Sequence, residues 1–497
     1  MTEIEFQSLA AQGYNRIPLI AEALADLETP LSLYLKLAHT ERCGAYSFLL
    51  ESVVGGERFG RYSFIGLPAH TLVRAFGERC EIVQDGVVRE SHEGDPLAFI
   101  AAFQKRFKVA QRAGLPRFCG GLAGYFGYDA VRYIEKKLKH TAPSDELGLP
   151  DIQLLLTEEL AVIDNLAGKL YLIVYANPAM PEAYTQAKQR LRELRTRLNT
   201  AVQLPVTSSS VRTEIYRQFK KEEYLQAVRT AKECIAAGEL MQVQISQRLV
   251  KPYRDSPLSL YRALRSLNPS PYMYFYNFGA FQVVGASPEI LVRREQQGNA
   301  HKVTIRPLAG TRPRGSTPEQ DAQLAAELLN DPKEIAEHVM LIDLARNDLG
   351  RIAQTGSVRV TEQMTIEKYS HVQHIVSSVE GDLKPELDNF DILRASFPAG
   401  TLSGAPKVRA LELIDELEPV KRGLYGGAVG YMSFSGEMDL AIAIRTGLIH
   451  NGNLYVQAAA GIVADSAPEA EWQETENKAR AVLRAAEQVQ DGLDLGF

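Results

Sequence analysis

The sequence predicts an α+β fold with antiparallel sheets, arranged in two domains. Three observations carry this. Strand-like and helix-like segments do not alternate regularly, so a doubly wound parallel sheet is not indicated. A break in composition over residues 196–213, holding Pro205 and the serines at 208–210, follows a highly charged helical segment and reads as a linker. The 497 residues, 45% apolar and 23% charged, suffice to bury a sizeable core without staples. The expected domains are 1–205 and 206–497.

In the first part, residues 47–54 (SFLLESVV), 62–65 and 170–175 are rich in β-branched and aromatic residues and predict strands. Residues 96–109 and 181–198 predict helices. The second part opens with a helix over about 220–237, ended by Gly238. VQISQRLV, FQVVGASPEILVRRE and HKVTIRPLAG predict strands. In DPKEIAEHVMLIDLARNDLGR, Ile335, Val339, Ile342 and Ala345 recur at three- and four-residue steps, which predicts a helix. Strands return at 427–434, 439–449 and 453–463. A final helix begins at Ser466, where Ser466 and Glu469 have the spacing of a capping box and Pro468 fits the first turn.

Charge excludes one class of function. With 55 basic and 61 acidic residues the formal net charge is −6, the wrong sign for a nucleic-acid partner but no obstacle to a small anion. Cys43, Cys80, Cys119 and Cys234 are scattered, with neither paired spacing nor a nearby metal-spaced histidine. No basic stretch followed by an apolar core opens the chain, and no apolar run approaches the roughly 18 residues of a membrane span. The expectation is a cytoplasmic protein with no membrane partner.

Three constellations carry chemistry. Glu334 and Glu337 share a helix face, and Glu471 and Glu474 repeat that spacing on the last helix, with Lys478 one turn on. Four such carboxylates facing a cleft suit a hard cation such as Mg²⁺. On spacing alone, solvated surface charge is the commoner outcome. IRPLAGTRPRG (305–315) sets Arg306, Arg312 and Arg314 among glycines and prolines, as an anion cradle or a basic surface turn. FPAGTLSGAPK (397–407) allows close backbone approach to a ligand, with Thr401 or Ser403 as donors, or is a plain loop before a helix. His374, in QHIVSSV, is a candidate acid or base, though a histidine beside an apolar run is often a satisfied core residue.

Together these strings resemble a family. GASPEI, IRPLAGTRPRG, DPKEIAEHVMLIDLARNDLGR, HIVSSVEG, FPAGTLSGAPK, YGGAVGY, IAIRT and AAAGIVADSAPEAEWQETENKA occur in that order. The chain resembles the large, chorismate-using subunits of anthranilate synthases, within the chorismate-binding superfamily, over residues 45–485. The resemblance implies sandwich-like antiparallel sheets covered by helices. It implies Mg²⁺ held by Glu337 and Glu474 directly and by Glu334 and Glu471 through water. Chorismate would be surrounded by Gly310, Thr311, Tyr425, Arg445, Ala459, Ala460, Gly461 and Lys478, with Arg445 forking one carboxylate. Glu289, His374 and Thr401 are the implied catalytic residues: Glu289 protonates the leaving C4 hydroxyl, and His374 matches the residue linked with loss of pyruvate.

Within the superfamily, isochorismate and salicylate synthases carry lysine where this chain has Gln242, and many aminodeoxychorismate synthases carry lysine at Ala309. Both differences point to direct attack by ammonia at C2 and to anthranilate and pyruvate as products, in the first step of tryptophan biosynthesis. The competing readings are a sister enzyme that makes aminodeoxyisochorismate or aminodeoxychorismate, and a non-catalytic metabolite-sensing subunit. No cysteine has a glutaminase context, so the resemblance implies a separate glutamine amidotransferase subunit and a heterotetramer of two large and two small subunits. LLES and NPSPYM resemble a tryptophan feedback site, with Glu51, Ser52, Arg61, Pro271, Tyr272 and Met273 as its residues.

Overall fold

Two antiparallel sheets, each of twelve described strands, organise the chain. The computed structural model describes all residues except 40–45, 54–59, 113, 206–211, 299, 370–371 and 494–497. Cys43 and the serines at 208–210 therefore lie outside the described residues. The architecture is α+β, as expected. Each sheet takes strands from both sides of residue 205. In the first, Tyr46–Glu51 pairs with Tyr272–Asn277. In the second, Gly121–Phe126 pairs with Ala428–Ser433.

Between the sheets lies an aromatic-rich core including Phe48, Phe64, Phe118, Tyr276 and Tyr431. Large flat rings suit this layer because each buries much apolar area with few torsions to fix; Phe118 and Tyr431 stack with centroids 4.4 Å apart. Helices Pro257–Leu267 and Pro468–Gln490 pack on the first sheet, and Pro332–Gly350 and Asn389–Ser396 on the second. Among the described residues no helix is long and apolar enough to cross a membrane.

Two runs expected to be continuous strands are broken, and the breaks build the site. FQVVGASPEILVRRE forms Phe281–Ser287 in the first sheet and Ile290–Gln297 in the second. Residues 439–449 likewise form Met438–Ile442 in the second sheet and Thr446–His450 in the first. The two crossovers bond to each other: the Ile442 amide donates to the Glu289 carbonyl at 3.0 Å, and the Ala286 amide to the Arg445 carbonyl at 3.2 Å. Arg445 takes a positive φ of 50°, a conformation costly for a side-chain-bearing residue and often held at functional positions.

Smaller expectations also shift. The helix expected over 96–109 ends at Gln104. In Pro332–Gly350 the buried face is His338, Leu341, Ile342 and Ala345, whereas Val339 is exposed, because the stripe drifts around the helix. The capping box at Ser466 does not form. The Ser466 hydroxyl instead accepts from the Val463 amide at 3.0 Å, and Ala467 occupies the N-cap. HKVTIRPLAG breaks after Ile305, and a new strand, Leu308–Pro313, pairs with Val372–Asp382.

Candidate active site

Glu289 sits on the first crossover, buried at 6% exposure. Burial pushes its carboxyl up to about 8, against the opposing pull of the Thr401 hydroxyl, the Leu308 amide, Arg445 and Lys478. Thr401, in the short turn Gly400–Leu402, donates to Glu289 Oε1 at 3.1 Å. A carboxyl so placed keeps its proton at neutral pH, as a general acid must.

Arg445 sits on the second crossover. Its guanidinium forms no hydrogen bond or ion pair among the described residues, which leaves its donor fork for a ligand. Burial lowers its proton affinity, partly offset by Tyr369 and Glu289. The same crossover anchors the turn that carries Tyr425: the Gly426 amide donates to the Ala443 carbonyl at 2.9 Å. Tyr425 is buried, and its phenol meets the Ala459 backbone.

His374 lies on Val372–Asp382, opposite Thr311. Its Nδ1 is 2.9 Å from the Gly310 carbonyl and 3.1 Å from the Thr311 hydroxyl. A carbonyl can only accept, so Nδ1 carries the proton and Nε2 presents a lone pair. Nε2 is buried with no hydrogen-bond partner among the described residues. Burial lowers this imidazole to about 4, with Arg445 lowering it further, so the ring is neutral at physiological pH. Tyr369 packs edge-on against it at 5.5 Å, a contact that no motif or spacing announces in the sequence.

Gly310 takes a φ of 67°, and a Cβ there would stand 3.1 Å from Glu334 Oε2. The left-handed backbone is what favours glycine there, and any Cβ would also crowd Glu334 and Leu328. Ala459, Ala460 and Gly461 lie on Asn453–Ile462, paired with Gln242–Pro252. A Cβ on Gly461 would meet the Gln242 and Gln244 amides at 2.8 Å. Lys478 donates to the Ala459 carbonyl at 3.0 Å and pairs with Glu474 at 2.7 Å.

The glutamates come as two pairs. Gln242 donates to Glu337 at 3.0 Å. Burial raises the Glu334 carboxyl, Arg312 opposes that, and the neighbouring Glu337 charge adds to it. Burial likewise raises Glu471, and Glu474 adds to it. Lys333 ties the start of one helix to the loop before the other through Asp465 at 3.5 Å. Among the described residues no three acidic or histidine side chains converge on one point. The donors nevertheless fit a hard divalent cation: all four are carboxylates, and each pair holds mutually repelling charge that a cation relieves.

The arginines of IRPLAGTRPRG do not form an anion cradle. Arg306 is paired with Glu362 and Glu367, Arg312 with Asp331 and Glu334, and Arg314 with Asp321. They brace the strand that presents Gly310 and Thr311.

A separate cavity, about 580 Å³ of space that merges with solvent, lies where the chain segments LLES and SPYM meet. It is lined by Glu51, Ser52, Pro271, Tyr272 and Met273, together with Tyr62, Arg117, Arg293 and Tyr431, which sequence reasoning did not mark. Met273 stands directly opposite Glu51 in the paired strands. The Glu51 carboxylate is engaged elsewhere, by Arg265 at 2.7 Å and by the Tyr261 hydroxyl, so its side chain anchors helix Pro257–Leu267. Arg61 does not line the cavity. It pairs with Asp164 at 3.1 Å and stacks over Tyr62.

Comparison with known proteins agrees with this geometry. The profile of the chorismate binding enzyme family matches residues 57–484. The chain is 58% identical over 493 residues to anthranilate synthase component 1 of Neisseria meningitidis serogroup A, covering 99% of both chains. It is 55% identical to the protein of that name from Pseudomonas aeruginosa, covering 98% of both. Its structure matches the crystal structure of anthranilate synthase component I from Streptococcus pneumoniae with a TM-score of 0.76 at 36% identity, covering 93% of this chain and 99% of that one. The chain belongs to the chorismate-binding enzyme family, among its anthranilate synthase component I members.

Proposed function

We propose that the chain converts chorismate and ammonia to anthranilate and pyruvate, as the large subunit of an anthranilate synthase. The observation that best supports this is the grouping of a protonated buried acid, Glu289, a neutral imidazole with a bare Nε2, His374, and an unengaged guanidinium, Arg445, around two bonded crossovers.

Arg445 holds one carboxylate of chorismate, with Tyr425, Thr311 and the Ala459–Gly461 backbone shaping the rest of the cleft. Ammonia adds at C2 while Glu289, steadied by Thr401, gives its proton to the departing C4 hydroxyl. His374 Nε2 then takes the C2 proton as pyruvate leaves and the ring aromatises. Gln242 cannot take a proton from water, and its amide is committed to Glu337, which favours an amine nucleophile. Glu334, Glu337, Glu471 and Glu474 would hold Mg²⁺, which when bound would supply positive charge to the ring carboxylate.

We read the chain as cytoplasmic and as divided at 205/206, and assign it a glutamine amidotransferase subunit as ammonia source in a heterotetramer of two large and two small subunits. The cavity between LLES and SPYM has apolar walls from Pro271 and Met273 and polar groups from Arg117, Arg293 and Asp439, and we assign it to tryptophan as feedback inhibitor. The test is the nitrogen source. The purified chain should turn over chorismate with ammonium at mildly alkaline pH, and glutamine should replace ammonium only after an amidotransferase subunit is added. Glutamine-dependent turnover by the chain alone would overturn the two-subunit reading.

A further inference from the structure

A second cavity, about 380 Å³ of space that merges with solvent, lies against the Pro332–Gly350 helix and reaches Glu289 and Thr401. Asp348 and Ser396 line the same space, with Ala345 on the helix wall between Asp348 and the earlier turns. Asp348 is 5% exposed. Lys407 donates to its Oδ2 at 3.0 Å, while its Oδ1 is buried with no hydrogen-bond partner among the described residues. A buried carboxyl with an unused oxygen calls for water or a reason to exist there. Burial raises the Asp348 carboxyl, with Lys407 and Arg351 opposing it; Arg306 and Glu289 are the other charged or titratable groups on the cavity wall.

We propose that Asp348 returns a proton to Glu289 through water held in this cavity. The inference rests on Glu289 being the acid. In the first step Glu289 gives its proton to the C4 hydroxyl as the C–O bond breaks, and water departs. The Glu289 carboxylate left behind is buried and cannot be reprotonated through a cleft filled by substrate. The Asp348 carboxylate, held by Lys407, takes a proton from solvent and passes it over water to Glu289. Asp348 is left as the carboxylate it began as, which completes the cycle with no other reactant. Asp348 touches no substrate; it is a positioning residue for the proton that Glu289 uses.

The test compares wild type with Asp348→Asn, Ala345→Val and Glu289→Gln in ammonia-dependent turnover. Asparagine keeps an oxygen for Lys407 but has no acid proton. Valine at 345 adds two methyl groups to the cavity wall and removes no titratable group. Both should lower kcat by about 10- to 100-fold, at or below the range for direct acid–base groups, and raise the solvent deuterium isotope effect on kcat. KM for chorismate and for ammonium should stay unchanged, which a merely structural role would not ensure. Wild-type kcat in either folded variant overturns the relay, as does a raised KM with kcat intact. If Asp348→Asn loses its cooperative thermal transition, Ala345→Val decides. A fully active Glu289→Gln removes the acid role itself, whereas an inactive Glu289→Gln beside a fully active Asp348→Asn overturns the relay alone.

Discussion

At the scale of single residues, burial sets the chemistry in opposite directions for two groups that both feel Arg445. It holds the proton on Glu289 and strips it from His374, which pairs an acid with a base at one pH. Two predictions follow from the signs. Between 4.5 and about 8 the folded chain holds a proton on Glu289 that the unfolded chain has released, so this residue makes stability fall as pH rises through that window. Glu289→Gln should remove that slope in melting curves taken across pH, and should lower kcat by about 10²- to 10⁴-fold. The wild-type rate, divided by the free ammonia present, should fall above pH 8 or so. His374, lowered from 6.5 to about 4, stays mostly neutral through that range, and its contribution to stability is lost as pH falls from 6.5 through 4. His374→Asn should therefore spare amination and slow aromatisation, so that chromatography shows the aminated, pyruvyl-bearing intermediate building up. Equal loss of both steps would make His374 structural.

At the scale of elements, the site is made where strands change sheets. The segments GASPEI and IAIRT were legible as motifs, and most strands and helices as patterns. That each long apolar run splits at Glu289 or Arg445 was not, because a row of β-forming residues reads alike whether it stays in one sheet or passes to another. The Ser466 box failed for a related reason: spacing names a possible bond, and the turn at Val463 claimed the hydroxyl first. The arginines of 305–315 read as an anion cradle or a basic surface turn, and their carboxylate partners, 7 to 61 residues away in sequence, decide for structural pairing. The glutamate pairs were legible because their spacing is local to one helix. They yield a third prediction. Glu474→Gln keeps the shape and removes a charge, so calorimetry should find Mg²⁺ binding weakened by at least about 10-fold, with circular dichroism unchanged. Unaltered binding would return these glutamates to surface charge.

At the scale of the whole molecule, the sheet that carries Ala459, Ala460 and Gly461 also carries the LLES strand, paired with Tyr272–Asn277. Phe281–Ser287, next in order, leads directly to Glu289. A ligand in the cavity that Glu51, Ser52 and Met273 line thus has a short covalent path to the acid, and any inhibition must come from different affinities for two states. Ser52→Phe removes a hydroxyl worth about 0.5–1.5 kcal/mol in such contacts and fills the cavity. Tryptophan inhibition should be lost with most of the catalytic rate retained, and in wild type tryptophan and chorismate should weaken each other's binding by equal factors. Matching inhibition curves for wild type and Ser52→Phe would leave LLES as ordinary strand. The central claim, that these sheets hold an ammonia-using chorismate enzyme, is tested most directly by the mass of the product. Chain, chorismate, Mg²⁺ and ammonium should give anthranilate and pyruvate in equal amounts; a hydroxylated ring, or an aminated ring that keeps its pyruvyl group as the end product, would contradict it.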